Sequence, residues 1–335
     1  MMKAWKQKSL YLVILTIITA LVLAGCTTTN NKNEGTPTNV APTEQQPTNN
    51  GVESSNNEKL ETSYPLTITD DTNTTLEITQ VPQKVVTLLP SETEILYAIG
   101  SGEQVVGVDA FSNYPNEAKE KAQIGDSTTN IEAIMALEPD VVFASSTMNT
   151  AAIEQLRALD ITVYATDPKT YEAVIEKIQA IGTLMNKQQE AEAVAKHMQS
   201  VKDDIVTKLS GVEPKTVFFE VMEGWTVGSG EFIDEMLQLA GGTNVAGQTP
   251  GWYEISVEQL IEMNPSVILF ADREGETDVL TESIKNRAGW EVIDAIKEQK
   301  VFPINEDQVS RVGPRLADSL QHIAAALHPE LFEQQ

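Results

Sequence analysis

Two stretches of the chain carry the same order of polar and apolar positions. Asn130 to Ala144 (NIEAIMALEPDVVFA) and Ser256 to Phe270 (SVEQLIEMNPSVILF) each begin with a small polar capping residue. An amphipathic helix follows, then a proline stop, then an apolar β-branched run. The second copy lies 126 residues after the first, and one glutamate keeps its place in each, Glu132 and Glu258. A helix feeding a buried strand is half of an α/β unit, so the repeat predicts two lobes of like construction.

The remaining pattern extends both lobes. Tyr64 to Thr69, a turn at Asp70 to Asn73, and Thr74 to Ile78 alternate as a hairpin. Strands are then expected at Lys84–Leu89, Val105–Val108, Val141–Ala144 and Ile161–Ala165, interleaved with helices at Glu92–Ile99, Ile131–Leu137 and Ala151–Leu159. After Gly211 the rhythm restarts, with strands at Thr216–Val221, Val267–Phe270 and Val301–Ile304 and helices at Phe232–Ala240, Val257–Met263 and Leu316–Leu327. Strands alternating with helices imply an α/β fold with parallel sheets. Between the lobes, apolar positions keep near-helical spacing from Tyr171 to Leu209. That stretch reads either as one long connecting helix or as two helices broken near Asn186. The expected domains are an N-terminal lobe over 63–168, a connecting helix over 169–211 and a C-terminal lobe over 212–335.

The first residues belong to neither lobe. Lys3, Lys6 and Lys8 precede an apolar run from Leu10 to Leu23, and Leu23-Ala24-Gly25-Cys26 follows, which is the order of a secretory signal over 1–25. Cys26 is the chain's single cysteine and stands directly after the small-residue cleavage site, where bacterial lipoproteins are cleaved and acylated. Residues 26–62 then read as a flexible tether rich in Thr, Asn, Pro and Glu. The formal charge is −26, and −29 without the three signal lysines, which disfavours nucleic acid and anionic lipid as partners. Membrane attachment is therefore expected through acyl chains at Cys26, on the extracytoplasmic face.

Catalytic signatures are weak. His197, His322 and His328 form no metal-ligand spacing, Gly228-Ser229-Gly230 lacks a strand–Ser–helix elbow, and no glycine-rich phosphate loop occurs. The expectation is a binding protein with no catalysis, no metal and no cofactor. Loops beyond the carboxyl ends of the strands, where open α/β sheets bind ligands, carry Pro90, Tyr114, Ser145-Ser146, Trp225, Trp252, Tyr253 and Arg311. Aromatic residues make up only 6% of the chain, so their concentration in these loops points to a ligand. Arg311 suits an anionic group, and Arg315 suits fastening of the last helix. Glu132 and Glu258 each favour a helix dipole, and, exposed on both lobes, they also suit arginines of a two-fold symmetric partner.

The segments VVTLLPSETEILYAIGSGEQVVGVD, SNYP, IGD, NIEAIMALEPDVVFAS, GSGEFIDEMLQLAGG, GWYEISVEQLIEMNPSVILF and VSRVGPRLADSL resemble the cobalamin and iron-siderophore substrate-binding proteins of ABC importers. The likeness runs from about Pro65 to the C-terminus. It implies two Rossmann-like lobes joined by a long α-helix, the class III periplasmic-binding-protein type, acting as a monomer with little closure on its ligand. It also implies delivery to a dimeric ABC permease, whose arginines meet Glu132 and Glu258. Ligand positions of the family fall on Tyr114, Trp252 and Arg311, with Pro90 and Trp225 beside them. The vitamin B12-binding members are most alike, so the expected ligand is cobalamin, with a ferric siderophore or haem as the alternative. One departure stands out: Ser145 and Ser146 occupy a loop where the periplasmic B12-binding protein has a tryptophan. An extracytoplasmic enzyme of the chelatase type shares lobes of this kind and would need a histidine or an acid pair inside the cleft.

Overall fold

The structure, a computed structural model, describes residues 61–273 and 275–332. The expected signal, Cys26 and nearly all of the tether lie outside the described residues. A hairpin of β1 (Leu66–Thr69) and β2 (Thr75–Ile78) opens the fold. The first lobe follows as β3 (Val85–Thr87), α1 (Pro90–Ala98), β4 (Val105–Val108), β5 (Ala122–Gln123), α2 (Ile131–Leu137), β6 (Val141–Ser145), α3 (Thr150–Ala158) and β7 (Val163–Thr166). Its five strands are all parallel, in the order β5-β4-β3-β6-β7.

The connector is not one helix. It folds as α4 (Tyr171–Leu184) and α5 (Gln188–Lys208), with Asn186 between them in the left-handed region at φ 54°. The two run antiparallel: Lys202 reaches Glu172 at 2.7 Å, and the Tyr171 hydroxyl donates to the Met198 carbonyl at 3.0 Å. Gly182 lets the pair close up, since a Cβ there would stand 2.3 Å from that of Ala191. The expected continuous helix over 169–211 is thus corrected to a helical hairpin, whose second arm of 21 residues, about 30 Å long, leads into the second lobe.

The second lobe comprises β8 (Lys215–Met222), β9 (Trp225–Val227), α6 (Phe232–Leu239), β10 (Gly242–Asn244), β11 (Trp252–Glu254), α7 (Val257–Met263), β12 (Val267–Asp272), α8 (Thr277–Lys285), α9 (Asp294–Lys297), β13 (Val301–Asn305), α10 (Glu306–Ser310) and α11 (Leu316–Leu327). Strand order is β11-β9-β8-β12-β13, with β10 also pairing β8. Here the sheet is mixed rather than parallel throughout. Glu223-Gly224 reverses the chain directly after β8, with Gly224 at φ 78°, so β9 and then β11 add antiparallel.

The repeat seen in the sequence is kept residue by residue. Helices α2 and α7 have bounds displaced by the same 126 positions; Asn130 and Ser256 cap them by accepting from Ala133 N and Gln259 N, and left-handed Glu138 and Asn264 end them. One apolar cluster runs continuously from the inner face of the first sheet (Val85, Phe143) through Ile178 and Met198 to the inner face of the second (Phe219, Leu269). Each sheet's outer face has its own cluster, around Val142 and Ile153 in the first lobe and around Phe218 and Trp290 in the second. A shared core that includes the helical hairpin couples the lobes mechanically.

Candidate functional site

The polar run Ser91-Glu92-Thr93-Glu94 at the start of α1 is buried between the lobes, at 0 to 4% exposure. Burial on that scale demands partners. Thr93 Oγ1 bonds Thr87 and Ser112 at 2.6 and 2.8 Å. Glu92 accepts from Lys177 Nζ of α4 at 2.6 Å and from Ser91 Oγ at 2.7 Å. Glu94 receives three donors from the second lobe: Arg311 Nη1 at 2.8 Å, Arg315 Nε at 2.8 Å and Arg315 Nη2 at 2.6 Å. Buried ion pairs of this kind contribute registry more than net stability, because desolvation offsets much of their attraction.

That arginine bridge separates two concavities. The larger, about 470 Å³, opens over the carboxyl ends of β3, β6 and β7. Its apolar wall includes Pro90, Met148, Phe232, Trp252 and Val312. The smaller, about 400 Å³, is polar and includes Asn113, Tyr114, Lys119, Arg273, Asp307 and Arg315.

Among the residues singled out by sequence, Pro90, Trp252 and Arg311 therefore come together in the larger cleft. Trp252 is 43% exposed there. Trp225, 41% exposed, lines neither concavity, but the register sets Trp252 opposite Val227 and Trp225 opposite Glu254, so both tryptophans lie on one face of the β9–β11 ribbon. Tyr253 falls on the other face, where its hydroxyl donates to the Ala246 carbonyl and its ring packs on the outer core. Tyr114 stands across the bridge in the polar concavity, under the Arg315 guanidinium at 4.2 Å from its ring centre. Arg311 is held by the protein itself, bonding Glu94, Asn113 and Asp307 at 2.7 to 2.8 Å and the Phe111 carbonyl at 3.3 Å. Its guanidinium is largely committed before any ligand arrives.

Two features went unread in the sequence. Met148 is 75% exposed at the tip of the β6–α3 loop and lines the cleft. The loop is built: Ser145 Oγ accepts from the backbone N–H groups of Thr147 and Met148, and Asn149 Oδ1 accepts from Ser145 N. A lone large apolar residue among Ser, Thr and Asn was the available signal. The second feature is Glu94, whose arginine partners lie more than 200 residues away in the chain.

Burial pushes the Asp109 carboxyl up, against the Ser112 and Phe111 hydrogen bonds that draw it down, in the shell beneath Arg311. No histidine lines the cleft: His197 and His322 are exposed on α5 and α11, and buried His328 caps α11 against the Gly241 carbonyl at 3.1 Å. Among the described residues no group of three or more His, Cys, Asp or Glu is placed to hold a metal ion, and no helix is long and apolar enough to cross a membrane. Glu132 and Glu258 are both exposed, each in the first turn of its repeated helix and outside the larger cleft.

Comparison with known proteins adds four findings. Residues 85–308 match the model of a family described as periplasmic binding protein. The chain is 34% identical, over 81% of its length and 88% of the relative's, to an uncharacterized ABC transporter substrate-binding lipoprotein of Bacillus subtilis. It is 28% identical to the cobalamin-binding protein of Halobacterium salinarum, over 79% of this chain and 75% of that one. Among solved structures, the periplasmic vitamin B12-binding protein of Vibrio cholerae superposes with a TM-score of 0.66 at 26% identity, covering 74% of this chain and 98% of that one.

Proposed function

We propose a function from one premise: the chain belongs to the periplasmic binding protein family. Members of that family are solute-binding proteins of ABC importers, not enzymes. This one is held by lipid at Cys26 on the extracytoplasmic face of the cell membrane, captures cobalamin or a related corrinoid between its lobes, and delivers it to a permease dimer.

The observation that carries the ligand reading is Trp252, an exposed aromatic on the apolar wall of the larger cleft, with Trp225 on the same ribbon face. Flat side chains of this kind give contact area to a planar macrocycle at little rotamer cost. Relatives named for cobalamin and vitamin B12 support the choice. Met148 supplies apolar area from the first lobe, where Ser145 and Ser146 offer none. Tyr114 reaches a ligand only if that ligand extends past the arginine bridge. Exposed Glu132 and Glu258, repeated on two like helices, suit the two halves of a symmetric permease.

The test is tryptophan fluorescence of the detergent-solubilised full chain, titrated with cyanocobalamin, ferric hydroxamate and catecholate siderophores, and haemin, with absorption corrected. Saturable quenching by cyanocobalamin, weakened at least about tenfold in Trp252→Ala, supports the reading. Quenching by an iron chelate or haemin alone replaces the ligand while keeping the transport role.

A further inference from the structure

We propose that Asp167 and Glu231 are specificity residues of the larger cleft: reaching Lys169 from facing lobes, they neutralise it and so make the site select an uncharged ligand over an anionic one. The proposal deepens the reading of that cleft as the ligand site and rests on it.

The residues lining the cleft include three cations, Lys169, Lys177 and Arg311, and three carboxylates, Glu92, Asp167 and Glu231. Two of the cations are out of a ligand's reach. Lys177 and Glu92 pair at 2.6 Å with side chains 3% and 2% exposed, and Arg311, 10% exposed, is committed to Glu94 and Asp307. Lys169 is different, with 52% of its side chain exposed. Its Nζ lies 3.2 Å from Asp167 in its own turn and 3.9 Å from Glu231, which precedes α6 in the second lobe.

A ligand carboxylate approaching Lys169 meets two tethered competitors, whose effective concentration a free ligand does not match. It also brings a like charge beside them, a repulsion that strengthens once the cleft is covered and water is excluded. The chain's net charge of −26 adds repulsion at longer range. An uncharged ligand with an amide-bearing edge meets none of these costs, since its amides hydrogen-bond to the pairs without displacing them. The class selected is thus a neutral, amide-rimmed macrocycle, and the class rejected carries carboxylates or catecholates.

The probes are cyanocobalamin, a cobalamin monocarboxylate in which one side-chain amide is hydrolysed, and haemin with its two propionates. Affinities are measured on the full chain in detergent for the wild type, Asp167→Asn/Glu231→Gln, and that double variant with Lys169→Gln added. The wild type should prefer cyanocobalamin to the monocarboxylate by about tenfold or more, the double variant should lose most of that preference and gain about tenfold for haemin, and Lys169→Gln should abolish the gain. Equal wild-type affinity for the two corrinoids, or no change of preference in the double variant, overturns the proposal while leaving the corrinoid reading intact. Absence of corrinoid binding with a haemin gain in the double variant overturns the corrinoid reading and supports the charge selection. Absence of both overturns both.

Discussion

Arg315 donates both Nε and Nη2 to the two oxygens of Glu94, at 2.8 and 2.6 Å, joining the residue just before the last helix of the second lobe to the first helix of the first lobe. Arg311 adds a third bond from the same side. The lobes are therefore tied through the apolar core around the helical hairpin and through this buried carboxylate at the base of the cleft. Ties of this kind oppose wide closure of the lobes, so the proposed ligand would have to fit a standing cleft.

Glu94→Gln should destabilise the protein by about 3–5 kcal/mol, because two arginines at 10 and 15% exposure are left facing a neutral amide. Urea denaturation at pH 7 measures it. A loss below about 1 kcal/mol would mean that water or Asp307 takes over the arginines.

Asp70 ties the opening hairpin to the first sheet, accepting from Arg157, from the backbone N–H groups of Thr72, Thr74 and Ala165, and from Thr72 Oγ1. Burial raises its carboxyl, but the hydrogen bonds from Thr72, Ala165 and Thr74 outweigh it and leave the group below its ordinary value of 3.8. A carboxylate lowered in the folded state contributes stability that is fully present above the unfolded value and lost as pH falls through the folded one. Asp70→Asn should therefore cost about 2 kcal/mol at pH 7 and flatten the decline in stability below about pH 5. Thermal melts of both proteins from pH 7 to pH 3 read the difference, and parallel curves would remove Asp70 from the acid limb.

Met148→Ala should weaken ligand binding by about threefold to tenfold and leave the melting temperature within about 1 °C, since an exposed side chain adds little to folding but would lose its apolar contact with the proposed ligand. Titration of the variant checks the first part and a melt the second. An unchanged affinity would place the ligand away from the first lobe's rim.

Local signals made much of the fold legible. Proline stops and polar caps set the repeated helices so tightly that both seven-residue spans were readable, because capping acts within four residues of the helix end. The connector was ambiguous for a physical reason: Gly182 and Asn186 look like defects in a long helix, yet one allows a close helix crossing and the other turns the chain. Both roles depend on what lies opposite, which periodicity does not carry. Strands β9, β10 and β11, three residues each, are too short for alternation to announce. In the site, exposed Trp252 was readable from composition, whereas Arg311 looked free because Glu94, its partner, sits on the other lobe. Tyr114 was grouped with Trp252 although a bridge of long-range ion pairs separates them.

Glu132 and Glu258 offer the sharpest test of delivery as distinct from capture. Each sits in the first turn of a helix of the same length, after the same kind of cap and before the same left-handed stop. Their dipole contribution is small, about 0.3–1 kcal/mol each at an exposed position, so replacing them should hardly alter folding. Glu132→Arg and Glu258→Arg should each reduce stimulation of the permease's ATPase by about tenfold, and the pair together by far more, because two contacts on one rigid body reinforce each other. Ligand titration should be unchanged, since neither residue lines the larger cleft. Raising ionic strength should weaken the wild-type interaction and partly relieve the like-charge repulsion in the double variant, as expected when exposed charges carry the contact. Full stimulation by the double variant, at any salt concentration, would move the docking surface elsewhere on the lobes.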